Sequence, residues 1–347
     1  MTAAVETTHV AAEAPRSLID RVLRLRELAI LVVLVLMLAA TQIDNSTFLS
    51  VQGIKDLLLD ATILVLVAVG EAVVVITRNV DLSVGSVLGV SAFAAGDYLQ
   101  GGGNAVLAVL IAIAAGAVFG VLNGLLVSIG QVPSLVVTLG TLYIIRGLDT
   151  VWVGSREITA NMLPSGFASF GHDGISAIPY LAILGAVVLA ALAYYLRSYR
   201  SGRECYALGS NPQAAALAGV PVRKRVFAAF VLCGALAGLA GALYLARFGY
   251  ADASTGTGYE LTVVSAVVVG GVGFTGGSGS VYGAALGALL LTSINSVLPS
   301  IGVSSVWVEA IDGILLLLAI SVDRVVALRI AGLLRRRAQA ARSAGND

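Results

Sequence analysis

Apolar residues run along this chain in long blocks, from Leu28 to Val322, separated by short polar or glycine-rich breaks. A helix needs about 17–25 predominantly apolar residues to cross a bilayer. Ten blocks meet or approach that length: 28–43, 57–76, 82–98, 105–129, 134–153, 177–196, 226–246, 260–275, 281–298 and 305–322. The pattern predicts an all-α fold, a polytopic transmembrane helix bundle of about ten spans. The pair 260–275 and 281–298 is open to a half-buried or re-entrant reading, because Gly276, Gly277 and Gly279 separate them. The bounds that follow are a tail over 1–26, a membrane domain over 27–323 with its main loop at 197–225, and a basic tail over 324–347.

One break differs from the rest. Thr77-Arg78-Asn79-Val80-Asp81-Leu82-Ser83-Val84-Gly85-Ser86 puts a cation, an amide and an acid between two apolar runs. Irregular backbone and polar groups at membrane depth are costly unless buried in protein or lining a watery cavity. Asp81-Leu82-Ser83-Val84 is echoed by Glu260-Leu261-Thr262-Val263, each an acid opening a small-residue segment. The two predict broken helices at equivalent places of an inverted repeat, where helix N-termini meet substrate or an acidic cap.

Composition agrees with a membrane class: 58% of the 347 residues are hydrophobic and 12% charged, about half the charge of a soluble domain. The 40 glycines include Gly-x-x-x-Gly spacings at Gly85/Gly89, Gly116/Gly120/Gly124, Gly234/Gly238 and Gly283/Gly287, which favour close helix crossings. Basic residues are strongly asymmetric. With the N-terminus in the cytoplasm, only Lys55, Arg146, Arg156 and Arg247 of the 21 Lys and Arg fall outside cytoplasmic segments, so both termini read as cytoplasmic. The first apolar run, preceded by Arg21, Arg24 and Arg26 and lacking a clear cleavage site, reads as retained.

Several chemistries find no support. A net charge of +1 gives no bulk attraction for nucleic acid. Neither Lys55 nor Lys224 follows a glycine, so there is no phosphate loop of the G-x-x-x-x-G-K type. Gly271-Val-Gly273-Phe-Thr-Gly276 matches G-x-G-x-x-G, but no acid follows before Glu309, and close packing with a turn explains it better than a dinucleotide. Cys205 and Cys233 lack ligand or disulfide-framework spacing, and His172 stands alone in the 154–176 loop. The expectation is no metal, no cofactor of the chain's own, no catalytic residue and no enzyme activity.

The polar residues in or near apolar runs are Glu71, Asn123, Arg146, Asp149, Asn295, Glu309 and Asp312. Arg146 and Asp149 are three apart and could pair. A neutral solute needs donors and acceptors rather than a fixed charge, which favours Glu71, Asn79 and Asn123 as path residues, with Asp81 and Glu260 at the two breaks. In the 197–225 loop, Ser210 or Asn211 can cap a short helix with Pro212 at its first position and Gly219 as its stop. Its small side chains, Ala215 among them, suit packing against another protein. An amphipathic connector at the headgroups suits them equally.

Gly209-Ser210-Asn211-Pro212-Gln213-Ala214-Ala215 through Gly219, together with the 77–86 break, Val137-Thr138-Leu139-Gly140-Thr141, Gly256-Thr257-Gly258-Tyr259-Glu260, Gly270-Gly271-Val272 and Gly276-Gly277-Ser278-Gly279, resembles the permease subunit of bacterial ATP-binding-cassette sugar importers. The likeness is to the ribose, xylose, rhamnose and quorum-sensing-sugar permeases, covers about residues 45–325 and leans toward the last two branches. It implies a monosaccharide path in the inner membrane, a second permease subunit (the same or different), a cytoplasmic ATPase that binds the ATP, an extracytoplasmic sugar-binding protein, and surrounding membrane lipid. It also implies that the Gly209–Gly219 segment docks on the ATPase. An ion-coupled secondary sugar carrier is the alternative, and it would need its own coupling site. An intramembrane enzyme would need a convergent nucleophile or metal set that the sequence lacks.

Overall fold

The computed structural model describes residues 16–304, 307, 310–318 and 321. The basic tail over 324–347, Glu309 and part of the rest of the 305–322 span lie outside the described residues. In chain order the helices are α1 (Arg16–Asp44), α2 (Val51–Ile76), α3 (Val84–Gln100), α4 (Ala105–Ser128), α5 (Ser134–Val153), α6 (Ser165–His172), α7 (Tyr180–Ser198), α8 (Arg200–Ser210), α9 (Pro212–Leu217), α10 (Val222–Phe248), α11 (Tyr259–Val269) and α12 (Val281–Ser300). A two-residue hairpin, β1 (Gly174–Ile175) with β2 (Ile178–Pro179), precedes α7. The fold is therefore an all-α polytopic membrane bundle, as the hydrophobic blocks predict.

Seven of these helices, α1, α2, α4, α5, α7, α10 and α12, are long and apolar enough to cross a membrane. The expected span at 260–275 is corrected to α11, an 11-residue helix, about 16 Å long against a hydrocarbon core of about 30 Å. It stops because Gly270 and Gly271 end it, Gly271 turning with φ 94°. Its partner at 281–298 does span, as α12.

Burial sorts the helices into a centre and a rim. The apolar windows of α2 and α10 are 89% and 72% buried, whereas those of α4 and α7 are 22% buried and leave one face for lipid or another subunit. Glycine makes the centre tight. A Cβ on Gly116 would fall 2.8 Å from Gly238 N, and one on Gly234 would fall 2.9 Å from Gly120 Cα, so α4 and α10 cross backbone to backbone. Gly283 and Gly287 of α12 likewise meet Gly270 and Ala266 of α11.

Helix ends and loops gather at two poles. At one, Glu27 accepts from Ser280 Oγ at 2.6 Å and Gly277 N donates to Ile76 O at 2.9 Å. The same pole carries the 197–225 loop, where Arg225 pairs with Glu204 at 2.7 Å. At the other pole, Ile158 and Ala251 exchange backbone hydrogen bonds, and Arg247 bonds Asp60 at 2.9 Å and Asp56 at 3.0 Å.

A membrane cavity, a locked break and a capped loop helix

The two broken helices meet at their starts. A Cβ on Gly85, at the start of α3, would collide with Glu260 Oε2 and lie 2.6 Å from Gly256 O; Gly89 abuts Thr255 O. From there α3 runs toward the Ile158 pole, where Gly96 packs on Ile158, and α11 runs toward the opposite one, where Gly270 packs on Gly283. The loop feeding α11, 249–258, therefore dips along α3 into the bundle. Arg146 holds it there, its Nη1 donating to Ala253 O at 3.2 Å and Thr255 O at 2.7 Å. This corrects the expected Arg146–Asp149 pair: the guanidinium is spent on the loop carbonyls, and both Asp149 carboxylate oxygens are buried without a hydrogen bond.

The 77–86 break is locked by a buried network. Asp81 accepts from Ser83 N at 2.9 Å and Ser83 Oγ at 2.6 Å, so the acid caps the entry to α3. Glu71 on α2 accepts from Asp81 N at 3.0 Å and from the Cys233 thiol of α10 at 3.6 Å. Asn123 on α4 donates to Ser83 Oγ at 2.9 Å and reaches both Asp81 oxygens at 3.4 Å. Asn79 turns back on its own chain, donating to Thr77 O at 2.9 Å. Arg78 takes φ 67°, a left-handed conformation costing a side chain about 1 kcal/mol, and its chain is clasped by Asn79 N donating to Val74 O at 3.2 Å. Glu71, Asp81, Ser83 and Asn123 are each at most 1% exposed. The structure brings three of the five path candidates together, leaves Asn79 beside them, and places Glu260 apart at the helix crossing. None of the five is among the residues that line the cavity described next.

A cavity of about 310 Å³ does lie nearby, toward the Arg247 pole. Asp60, Ile63 and Leu64 of α2 form one wall, and Tyr244 and Phe248 of α10 another. The start of α11 contributes Thr257, Tyr259 and Thr262, and α12 contributes Thr292, Asn295 and Ser296. Asp312 closes it, accepting from Thr262 Oγ1 at 3.0 Å. Asn295 Oδ1 is buried with no hydrogen-bond partner. Of these, the sequence reading singles out Asn295 and Asp312 and misses Asp60, an acid inside the 57–76 block. The threonines, the serine and the tyrosines are individually ordinary, and only the meeting of four helices makes them a site.

In the basic loop the expected capped helix is present. Asn211 Oδ1 accepts from Ala214 N at 3.0 Å, Pro212 opens α9, and Gly219 turns the chain with φ 80°. Two expected contact residues face inward instead. Ala215 is 6% exposed and belongs to the core, because the six-residue α9 must lay one side on the bundle. Gly209 presses on Ile76 O and Gly277. The outward side is Gln213, Ala214, Ala216 and Leu217, with Leu217 91% exposed. Beneath it, Glu204 binds Arg225 and Arg200 at 2.7 and 2.8 Å. The Arg225 hydrogen bond holds this carboxyl below its ordinary range, against the opposing effect of burial.

The bundle thus joins apolar spans, two opposed broken helices, a cavity of mixed polar and apolar lining, and a capped loop helix. The chain belongs to the family described as branched-chain amino acid transport system / permease component, whose model matches residues 53–320. It is 36% identical over 301 residues to the autoinducer 2 import system permease protein LsrC of Escherichia coli (strain K12 / DH10B), covering 86% of each chain. To the protein of that name from Salmonella paratyphi B (strain ATCC BAA-1250 / SPB7) it is 39% identical over 276 residues, 79% of this chain and 78% of the other. No solved structure matches it. The chain is thus a permease component of an ATP-binding-cassette importer.

Proposed function

We propose that this chain forms the translocation path for a monosaccharide or autoinducer-2-like solute, working as one of two permease subunits in a bacterial inner membrane. The observation that carries the reading is α9. It is a capped helix with an exposed leucine, raised from the basic pole of a permease that has no phosphate loop. Such a chain borrows its ATP hydrolysis, so a cytoplasmic ATPase docks on the Gln213–Ala218 side of α9, and an extracytoplasmic binding protein delivers the solute to the Arg247 pole. Gly209, Ser210 and Ala215 seat that helix on the bundle. Glu71, Asp81 and Asn123 hold the α2–α3 break in shape. The chain itself is not an enzyme, and both termini lie in the cytoplasm with the basic loop.

In lipid vesicles the chain alone is expected to move no sugar, with or without an ion gradient. Uptake should appear only when the ATPase, the binding protein and ATP are added; ion-driven uptake by the chain alone would establish the secondary carrier instead. Sidedness has its own test. A cysteine replacing Ala218 should react only from the cytoplasm and one replacing Ser169 only from outside. Both lie on exposed surface, and the native Cys205 and Cys233 are buried. Reaction of both from one side would reverse the span count between them.

A further inference from the structure

We infer that the pocket between the end of α4 and the start of α10 holds the headgroup of one anionic phospholipid, with its acyl chains laid along the outer face of α4. The two helices run tightly together as far as Gly124, where a Cβ would fall 3.0 Å from Phe227 Cδ2. One turn further on they enclose about 390 Å³, lined by Leu125, Ser128 and Ile129 of α4 and by Arg223, Lys224 and Phe227 of α10. That volume falls at the lower end of small-molecule sites. The lining divides as a phospholipid does. Arg223 and Lys224 are exposed cations, and neither forms an ion pair among the described residues. Leu122, Leu125 and Ile129 are exposed apolar residues, three and four apart and so on one face of α4.

Two details point to an anion rather than to bare surface. Ser128 is 6% exposed, yet its Oγ is buried without a hydrogen-bond partner; a phosphate oxygen would accept from it. Arg223 and Lys224 also supply the second and third amides of α10, which a helix cannot satisfy internally, and Pro221 before them offers no capping side chain. Those amides stand at the positive end of a 27-residue helix, which favours an anion there. Glu204, the acid of this loop, is spent on Arg200 and Arg225, and no acid lines the pocket among the described residues. A free phosphate would use the cations and leave the apolar strip bare, so the strip selects a lipid. Basic pockets between helices at the cytoplasmic side suit acidic headgroups. The place in the cytoplasmic leaflet follows from the sidedness proposed above; the chemistry of the pocket does not depend on it.

The test uses the purified full chain in a neutral detergent, titrated with phosphatidylglycerol, phosphatidylcholine or glycerol 3-phosphate and read by native mass spectrometry and melting temperature. Phosphatidylglycerol should be retained as a tight adduct and raise the melting temperature. Phosphatidylcholine should bind several-fold more weakly, and glycerol 3-phosphate should neither stay bound nor stabilise. Arg223→Gln and Lys224→Gln should each weaken the adduct about fivefold, the contribution of one cation at an anionic headgroup. Both side chains are exposed, so without lipid these variants should melt like the parent. Ser128→Ala separates a ligand from packing. Without lipid it should melt no lower than the parent, because it deletes an unpartnered buried hydroxyl; with phosphatidylglycerol its gain should be smaller. Arg203→Gln, a cation of the same loop outside the pocket, should bind like the parent. Equal retention of phosphatidylcholine, or undiminished phosphatidylglycerol binding in Arg223→Gln, Lys224→Gln and Ser128→Ala, overturns the lipid site. Glycerol 3-phosphate binding as tightly as the lipid replaces it with a soluble anion. Full lipid binding with lost ATPase co-purification in the two cation variants assigns those cations to a protein contact instead. None of these results bears on whether the assembly imports a sugar.

Discussion

Replacing Leu217 with arginine is expected to leave the chain folded in the membrane and to abolish ATP-driven uptake. Leu217 is 91% exposed on the outward side of α9, so the folded monomer loses nothing when it changes. Docked against an ATPase, the same position becomes buried, and a charge there without a partner costs about 3–5 kcal/mol, a weakening of docking of more than a hundredfold. Co-purification with the ATPase and coupled uptake measure the two losses separately. Ala215→Arg is a different experiment. That side chain is in the core, so the variant should fail at folding and say nothing about coupling. If Leu217→Arg docks and transports normally while disruption of the 77–81 turn abolishes docking, the motor contact lies in the other loop.

Gly234→Leu should remove the folded protein altogether. A Cβ at this position already collides with Gly116 O and lies 2.9 Å from Gly120 N and Cα. These are backbone atoms that no rotamer change can clear. Overpacking a core typically costs about 1–3 kcal/mol, and here a whole helix pair must separate, so the upper end or beyond is expected. Loss of a monodisperse peak in detergent size-exclusion and a collapsed melting temperature are the readouts. Gly147→Leu on α5, with open space around it, should leave both unchanged. A well-folded Gly234→Leu would mean that the α4–α10 seam is looser than the glycine contacts imply.

The long helices were legible because length and apolarity alone decide a span. The cap of α9 was legible because Asn211-Pro212 and Gly219 each do a local job that residue type dictates. The glycine spacings announced close crossings, though not which helices cross. Two things lay beyond the sequence. The end of α11 depends on how Gly270 and Gly271 bend, and an apolar run read by length alone passes straight through them. The cavity depends on four helices converging. Thr292, Ser296, Tyr244 and Tyr259 carry no signal of their own, whereas conspicuous residues such as Glu71 and Asp81 turned out to be occupied with one another. In a membrane bundle the rare polar residue draws attention, yet here Glu71, Asp81 and Asn123 are spent on one another and on the backbone of a break.

The contact beneath α9 has a mechanical consequence. Gly209 rests on the joint where Ile76 O receives Gly277 N, which is the end of α2 and the approach to α12. Asp60 sits toward the other end of α2, and Thr292 and Asn295 sit along α12. A motor that tilts the loop therefore pushes on one arm of a seesaw whose opposite arms hold two walls of the cavity. With α4 and α10 locked together by their glycines, a push on that joint would be carried along α2 and α12 to the two walls they give the cavity.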